Sequence, residues 1–324
     1  MTSVSRSQAT DGLGVYTYEL DLVFSGVSAC KEKVRDRALI FAQDERNASL
    51  PILTLTCGEK SLEVKENTSI SELTLTEKGC SATIFIGEGL KNVPREWMTR
   101  LVENHGTIEI QGYSKFFITS ASIVDDELKI TGSCFDISYN KFDQFTLFNK
   151  TISNIFSDFT TSKEVDFTTN YLFYSGTKKD LLEKIQESSG FLIDYYNKKI
   201  LPVPDSINSD FIFSFYYDDD LKTEPITGLS WYDSVHKFDV GSSTGAVREV
   251  KSVYHSQSSS PADSCFKWAK LMQNEIIIEA PIDPRIRQFS CFYISKNNTQ
   301  IPVMVTSFEL DFISDVMKLT VNYL

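Results

Sequence analysis

Apolar and polar residues alternate with a period of two through most of this chain, a pattern that only the strands of a half-buried sheet can use. It is loose at 15–24 (VYTYELDLVF) and recurs at 52–57, 70–76, 82–86, 115–124 and 128–137. The last hundred residues return to it in VREVKSVYHSQ, EIIIEAPI, FSCFYIS, IPVMVTSFELDF and VMKLTVNYL. The 23 Phe and 14 Tyr fit the same reading, because aromatic rings pack well on pleated surfaces.

Helices interrupt the strands at few places. Pro94, Trp97, Leu101 and Val102, closed by Gly106, predict one helix in the first block. Beyond 132 the period changes: Ile152, Ile155, Phe156 and Phe159 follow the spacing of a buried helix face. Thr177 and Asp180 then form a capping-box pair ahead of Leu181, Leu182 and Ile185, with Gly190 as the stop. A hairpin turning at Asn197 and Lys198 follows, FLIDYY into KILPVP, and the preceding helix is expected to pack on it. Ser260, Pro261 and Asp263 open a last helix whose inner face is Cys265, Trp268, Ala269 and Met272. At 324 residues the chain is too long for one ordinary core. The order of elements divides it into a β unit at 1–131, an inserted α+β module at 132–225 and a second β unit at 226–324.

The two outer units match in letters. Phe117-Ile118-Thr119-Ser120 aligns with Met304-Val305-Thr306-Ser307, and past each turn Leu128-Lys129-Ile130-Thr131 aligns with Met317-Lys318-Leu319-Thr320. Only the turn differs, being two residues longer in the second copy. Helix placement agrees as well, so the outer units read as a duplication. Long hairpins that alternate on both sides offer their outer strands to a neighbouring copy and can close a ring. Ile118, Thr119, Lys129, Val305, Thr306 and Lys318 are therefore the expected oligomer contacts, with each lysine meeting an acidic neighbour across a subunit boundary.

Chemistry is hard to find. Cys30, Cys57, Cys80, Cys134, Cys265 and Cys291 are scattered without a C-x-x-C and read as reduced core residues. His105, His236 and His255 are the only histidines. No phosphate loop, H-E-x-x-H or G-x-S-x-G occurs. The run Asp218-Asp219-Asp220 lacks the register of a calcium loop and reads as a solvated turn. Among 44 acidic residues some pair always suits glycoside hydrolysis, so that pairing is no signal. Hydrophobic residues at 41% and charged residues at 23% exclude a disordered chain. A formal charge of -12 disfavours a reader of nucleic acid. No apolar run approaches the roughly 20 residues of a membrane span, and the first residues lack the apolar core of a signal peptide. The expectation is a soluble protein made in a cytoplasm, with no cofactor or metal.

The middle of the chain resembles a known pattern. Gly132 ends a strand at 128–131. Then come Lys150-Thr151-Ile152-Ser153-Asn154-Ile155, Ser175-Gly176-Thr177-Lys178-Lys179-Asp180-Leu181-Leu182, Ser189-Gly190-Phe191 and the hairpin ending Ile200-Leu201-Pro202-Val203-Pro204. Together they resemble the baseplate hub proteins of tailed bacteriophages, the late control protein D and tail-hub family with relatives in contractile injection systems. Tyr196-Asn197-Lys198 stands where that pattern has a second glycine pair, and the expected hub lacks the extra OB-fold and needle of the secretion-system members. The resemblance implies a mainly β fold: two tail-tube-like β-barrels or sandwiches, each with one helix, flanking a small α+β module. It implies a homotrimer whose six barrels join a six-fold tail tube to a three-fold central spike. Implied partners are the tail tube protein, a central spike or tail tip protein and other baseplate proteins, with DNA only in transit and no membrane insertion. A structural, non-enzymatic protein of the virion tail or baseplate, assembled in the host cytoplasm, is the expectation. A tail-associated cell-wall hydrolase and a carbohydrate-binding receptor module remain alternatives, the second disfavoured by the interior placement expected for most aromatics.

Overall fold

The computed structural model describes residues 50–64, 69–90, 93–206, 225–273, 275–296 and 299–323, with strand backbone at 4–10, 16–22, 33–34, 212–213 and 215–216. The fold is mainly β, with few helices and one large curled sheet. β1 (Val4–Thr10) and β2 (Tyr16–Leu22) form an antiparallel hairpin, and β3 (Lys33–Val34) is a short strand. The first unit then runs β4 (Leu53–Cys57), β5 (Lys60–Val64), β6 (Ile70–Thr76), β7 (Gly79–Phe85), β8 (Thr107–Ile110), β9 (Lys115–Val124) and β10 (Glu127–Ser133). They lie in the order β6-β7-β10-β9-β8-β4-β5. Alternation does what it predicts: Leu53 and Leu55, Leu73 and Leu75, and Leu128 and Ile130 are buried.

The helix expected at 94–106 is shorter. α1 (Ile86–Gly89) and α2 (Arg95–Thr99) are each about one turn. Pro94 is the residue before α2, and the chain continues in turns to Gly106, whose N–H reaches the Leu101 carbonyl at 2.6 Å.

The insert holds β11 (Phe142–Thr151), α3 (Ile152–Ile155), β12 (Thr160–Thr161), β13 (Thr168–Thr177), α4 (Lys178–Ser189), β14 (Leu192–Asp194), β15 (Lys199–Leu201), β16 (Ile212–Phe213) and β17 (Phe215–Tyr216). The helical spacing at 152–159 yields a single turn, because beyond it the chain is drawn onto β15: Thr160 N–H reaches Lys198 and Ser162 N–H reaches Ile200. Ile152, Phe156 and Phe159 are buried all the same. α4 is as the sequence predicts. Thr177 and Asp180 exchange the two capping-box hydrogen bonds, and Gly190 closes the helix at φ 65°, a conformation that favours glycine.

The last unit comprises β18 (Ile226–Tyr232), β19 (Lys237–Gly241), β20 (Ala246–Lys251), β21 (Tyr254–His255), α5 (Ser260–Leu271), β22 (Glu275–Pro281), β23 (Cys291–Lys296), β24 (Thr299–Asp311) and β25 (Val316–Tyr323). The segment VREVKSVYHSQ is two strands, because the chain changes sheets there. β20 runs parallel to β18, and β21 adds to β13 of the insert.

α4 packs on α5, on β13 and on the 3-10 turn Ile137–Asn140, so the hairpin at 191–204 is not its main support. Gly190 shows how close the two helices come: a Cβ there would lie 2.3 Å from Cys265 Cα. Ser264 Oγ donates to the Gly190 carbonyl at 3.0 Å, and Trp231 Nε1 donates to the Ser188 carbonyl at 2.7 Å. One buried cluster accordingly runs from Leu53 to Val321 through all three units. The turn at Asp218-Asp219-Asp220, and Cys30, lie outside the described residues.

Candidate functional site

The two closing hairpins have the same backbone register. Leu128, Lys129, Ile130 and Thr131 of β10 face Ile123, Ser122, Ala121 and Ser120 of β9. Met317, Lys318, Leu319 and Thr320 of β25 face Leu310, Glu309, Phe308 and Ser307 of β24. Each ladder then skips one residue of the first strand, Thr119 or Thr306, and resumes at Gly132 opposite Ile118 and Val321 opposite Val305. The skipped threonines do the same work. Thr119 Oγ1 donates to the Thr131 carbonyl at 3.1 Å and Thr306 Oγ1 to the Thr320 carbonyl at 3.2 Å, giving a bulge residue a partner that the ladder no longer supplies. Asp125 and Asp126, both at positive φ, make the two-residue turn of the first hairpin. The second turn, 312–315, is two residues longer.

The correspondence reaches two more strands. β7 pairs with β10 from Gly79 to Phe85, and β22 pairs with β25 from Glu275 to Pro281. On the other side, Thr107 and Ile108 face Phe117 and Phe116 as Cys291 and Phe292 face Met304 and Val303. Ile118 N–H bonds the Gly106 carbonyl at 2.8 Å, and Val305 N–H bonds the Ser290 carbonyl at 2.9 Å. The helices do not correspond: α2 lies between β7 and β8, whereas α5 precedes β22. The repeated unit is thus four strands.

The copies meet through β6, which pairs with β7 of the first copy. Glu309, Leu310 and Asp311 of β24 pair with Thr76, Leu75 and Thr74 of β6, merging both copies into one twelve-stranded sheet. Around this junction Phe312 N–H bonds the Leu73 carbonyl at 3.0 Å, and Phe312 and Tyr113 meet edge to face at 5.1 Å. The Arg287 guanidinium lies over the Tyr113 ring at 4.5 Å. Tyr196, from the insert, donates to the Thr76 carbonyl and packs against Phe116 and Phe308.

Glu77 sits at the same place, accepting from the Phe308 N–H at 3.3 Å. Burial pushes its carboxyl above the ordinary range, against the pull of backbone hydrogen bonds and the Lys78 charge. A raised carboxyl binds its proton more readily in the folded state, so its charged form disfavours folding at neutral pH, and that penalty disappears as pH falls through and below the folded value. Glu77→Gln keeps an acceptor for Phe308 and carries no charge. Its urea midpoint should exceed that of the parent chain at neutral pH, and the gap should close on acidification. An unchanged or lower midpoint at neutral pH would show that the carboxylate is well served where it stands.

Two solved structures share this architecture. The tail protein from Neisseria meningitidis MC58 superposes with a TM-score of 0.54 at 10% identity, over 83% of this chain and 95% of its own. The prophage tail protein gp18 from Listeria monocytogenes EGD-e gives 0.51 at 9% identity, over 84% and 94%. The chain shares the fold of these two proteins. No family model matches the sequence, and no curated protein does.

Within this fold the six expected contact residues divide. Ile118 and Val305 are buried in the sheet, while Thr119 and Thr306 are the bulge residues. The Lys129 ammonium is 3.7 Å from Glu127 of its own hairpin. Lys318 lies between Glu309 and Glu279 on the two flanking strands. Sequence reading missed the β24–β6 junction, because nothing local in either strand names its partner.

Elsewhere, Asp233 accepts from the backbone N–H groups of Val235, His236 and Ser256 at 2.6, 2.7 and 3.1 Å. Burial opposes its charge, but those bonds outweigh burial and hold the carboxyl below its ordinary range. His255 lies between it and Ser234, with Nε2 3.0 Å from Ser234 Oγ and Nδ1 3.8 Å from Asp233 Oδ1. The order is that of a serine-hydrolase triad, yet the carboxylate is committed to backbone donors, and the adjacent N–H groups of Val235 and His236 are spent on it. The array anchors the turn after β18 to β21. Burial pushes the thiols of Cys80 and Cys265 up to about 12 and that of Cys134 up to about 11, so these thiols stay protonated at neutral pH. Among the described residues no group of three His, Cys, Asp or Glu is placed to hold a metal, and no helix is long and apolar enough to cross a membrane.

The aromatics are less interior than their strands imply. Phe142 and Phe148 of β11 and Tyr171 and Phe173 of β13 are exposed, and the pairing puts them on one face of the ribbon.

Proposed function

We propose that the chain is a structural hub of a phage tail or baseplate, three copies of which close a ring with an open axial channel. The observation that carries this reading is the four-strand unit present twice in one register and joined through β6, which pairs with β24 of one copy and β7 of the other. Three chains built this way present six pseudo-equivalent units, the arrangement that reconciles a six-fold tail tube with a three-fold central spike. The tail-protein fold supports the setting. The partners are then the tube protein, a spike or tip protein and other baseplate proteins, in the virion tail, with no catalysis by the hub itself. A formal charge of -12 suits a channel wall that lets DNA slide, since a negative surface does not hold phosphates. Cryo-electron microscopy of the particle tests it. Three copies on the tube axis are expected, and another copy number or an off-axis position overturns the reading.

The exposed aromatic ribbon favours a second reading, a carbohydrate-binding receptor surface. A glycan pull-down that Phe148→Ser and Phe173→Ser abolish would support it. No retention of any host glycan would remove it.

A further inference from the structure

In a ring of three chains, an element present once per chain repeats three times and an element present twice repeats six times, so the two suit partners of different symmetry. The two ends of the merged sheet differ in this respect. β24 and β7 lie on either side of β6, each antiparallel to it, and so run the same way. β10 is antiparallel to β7, and β9 to β10. β9 and β24 therefore run in one direction along the sheet, and both hairpins turn at the same end, one at Asp125-Asp126 and the other at 312–315.

Elements that occur once gather at the other end. The chain leaves β10 for the insert at Cys134, whose N–H bonds the Lys78 carbonyl at 3.0 Å. The insert then grips the turn between β6 and β7: Lys198 Nζ donates to the Cys134 carbonyl at 2.6 Å, Tyr196 donates to the Thr76 carbonyl, and the Lys78 ammonium is 3.0 Å from Glu183. β18 is tied just ahead of the start of β22, where Ile226 N–H bonds the Gln273 side chain at 2.8 Å. The hairpin-turn end carries exposed apolar side chains instead. Phe85 (39%) and Val124 (47%) face Glu127 from its two sides. Val316 (39%) stands in the place of Glu127 in the second copy, and Ile313 (45%) is in the turn itself. Carboxylates surround them: Asp125, Asp126 and Glu127 at the first turn, Asp311 and Asp315 at the second. Exposed apolar side chains rimmed by charge mark a protein contact.

We infer that the hairpin-turn end of the sheet is the surface that meets the six-fold tail tube, and that the insert end is turned toward the three-fold spike. The inference rests on the ring reading above and adds its polarity. The occupant is the tube because three chains offer six such turns at one end, of which a three-fold partner can use only alternate ones, whereas the insert is offered three times. Charge defines the partner further: the acidic turns call for a tube face that presents Lys or Arg beside an apolar patch. The contact accordingly weakens as salt rises.

The test places a photo-crosslinking amino acid at position 124, 313 or 173 of the full chain, assembled into tail particles. Positions 124 and 313 should give tube-protein adducts, and position 173, on the exposed ribbon of the insert, should give none. Capture of the full chain by purified tube protein makes the quantitative comparison. Val124→Lys should lower it about tenfold or more, and Phe173→Ser should leave it unchanged. If Val124→Lys does not fold, Ile313→Lys in an exposed turn takes its place. Spike adducts from the turn positions, no tube adduct from either of them, or undiminished capture of the turn variant overturns the inference while three copies on the axis leave the ring intact. A copy number other than three overturns both.

Discussion

Leu182→Asp is expected to leave the chain unable to complete its fold where the insert meets the last unit. Leu182 is fully buried on the inner face of α4, with Leu181 and Ile185 beside it and α5 and β13 packed on the helix. A carboxylate there has no partner, so it must either ionise in an apolar core or take up a proton, and either course costs several kcal/mol. The lost leucine packing adds about 2–5 kcal/mol. The sum rivals the whole stability of an ordinary domain, about 5–15 kcal/mol. Because Ser188, Ser189 and Gly190 at the end of α4 bond Trp231, Tyr254 and Ser264 of the last unit, the damage should spread beyond the insert. Limited proteolysis should cut both regions, and near-ultraviolet dichroism should lose its aromatic signal. A variant that melts like the parent would mean that this helix face is not buried in solution.

What was legible in the sequence was what neighbouring residues decide. The capping box at Thr177 and the stop at Gly190 are local chemistry, and each stands where the letters put it. The hairpin repeat was legible because both copies keep a threonine at the bulge, where its hydroxyl serves the opposite strand. The rest of the repeat was not, since GCSATIF of β7 and EIIIEAP of β22 share register without sharing letters. The helices misled for a related reason. One short helix per unit looked equivalent, but α2 interrupts the repeat and α5 precedes it, a distinction that no period reveals. Strict alternation also hid which residues face inward. Phe116 and Ile118 are buried before the bulge, and Ala121 and Ile123 take over after it, because one extra residue reverses the phase of a strand. Ile118 and Val305 thus went to the core.

Leu310→Asp should separate the two copies of the repeat within a single chain. Leu310 is buried, flanked by Leu75 of β6 and Met317 of β25, at the only strand pairing that joins the copies among the described residues. An aspartate there would stand between Glu309 and Asp311 on its own strand, adding a third carboxyl at a buried position. The expected loss is about 4 kcal/mol or more, from the leucine cavity and the buried carboxylate together. The equivalent Ile123→Asp removes an apolar side chain that is half-buried at the rim of the core, on a strand against which α2 packs, and should cost less than Leu310→Asp. Urea midpoints of the two variants, measured on monomer, therefore read out how differently the two copies of one repeated strand are covered. Equal losses would mean that α2 covers β9 as fully as β6 covers β24.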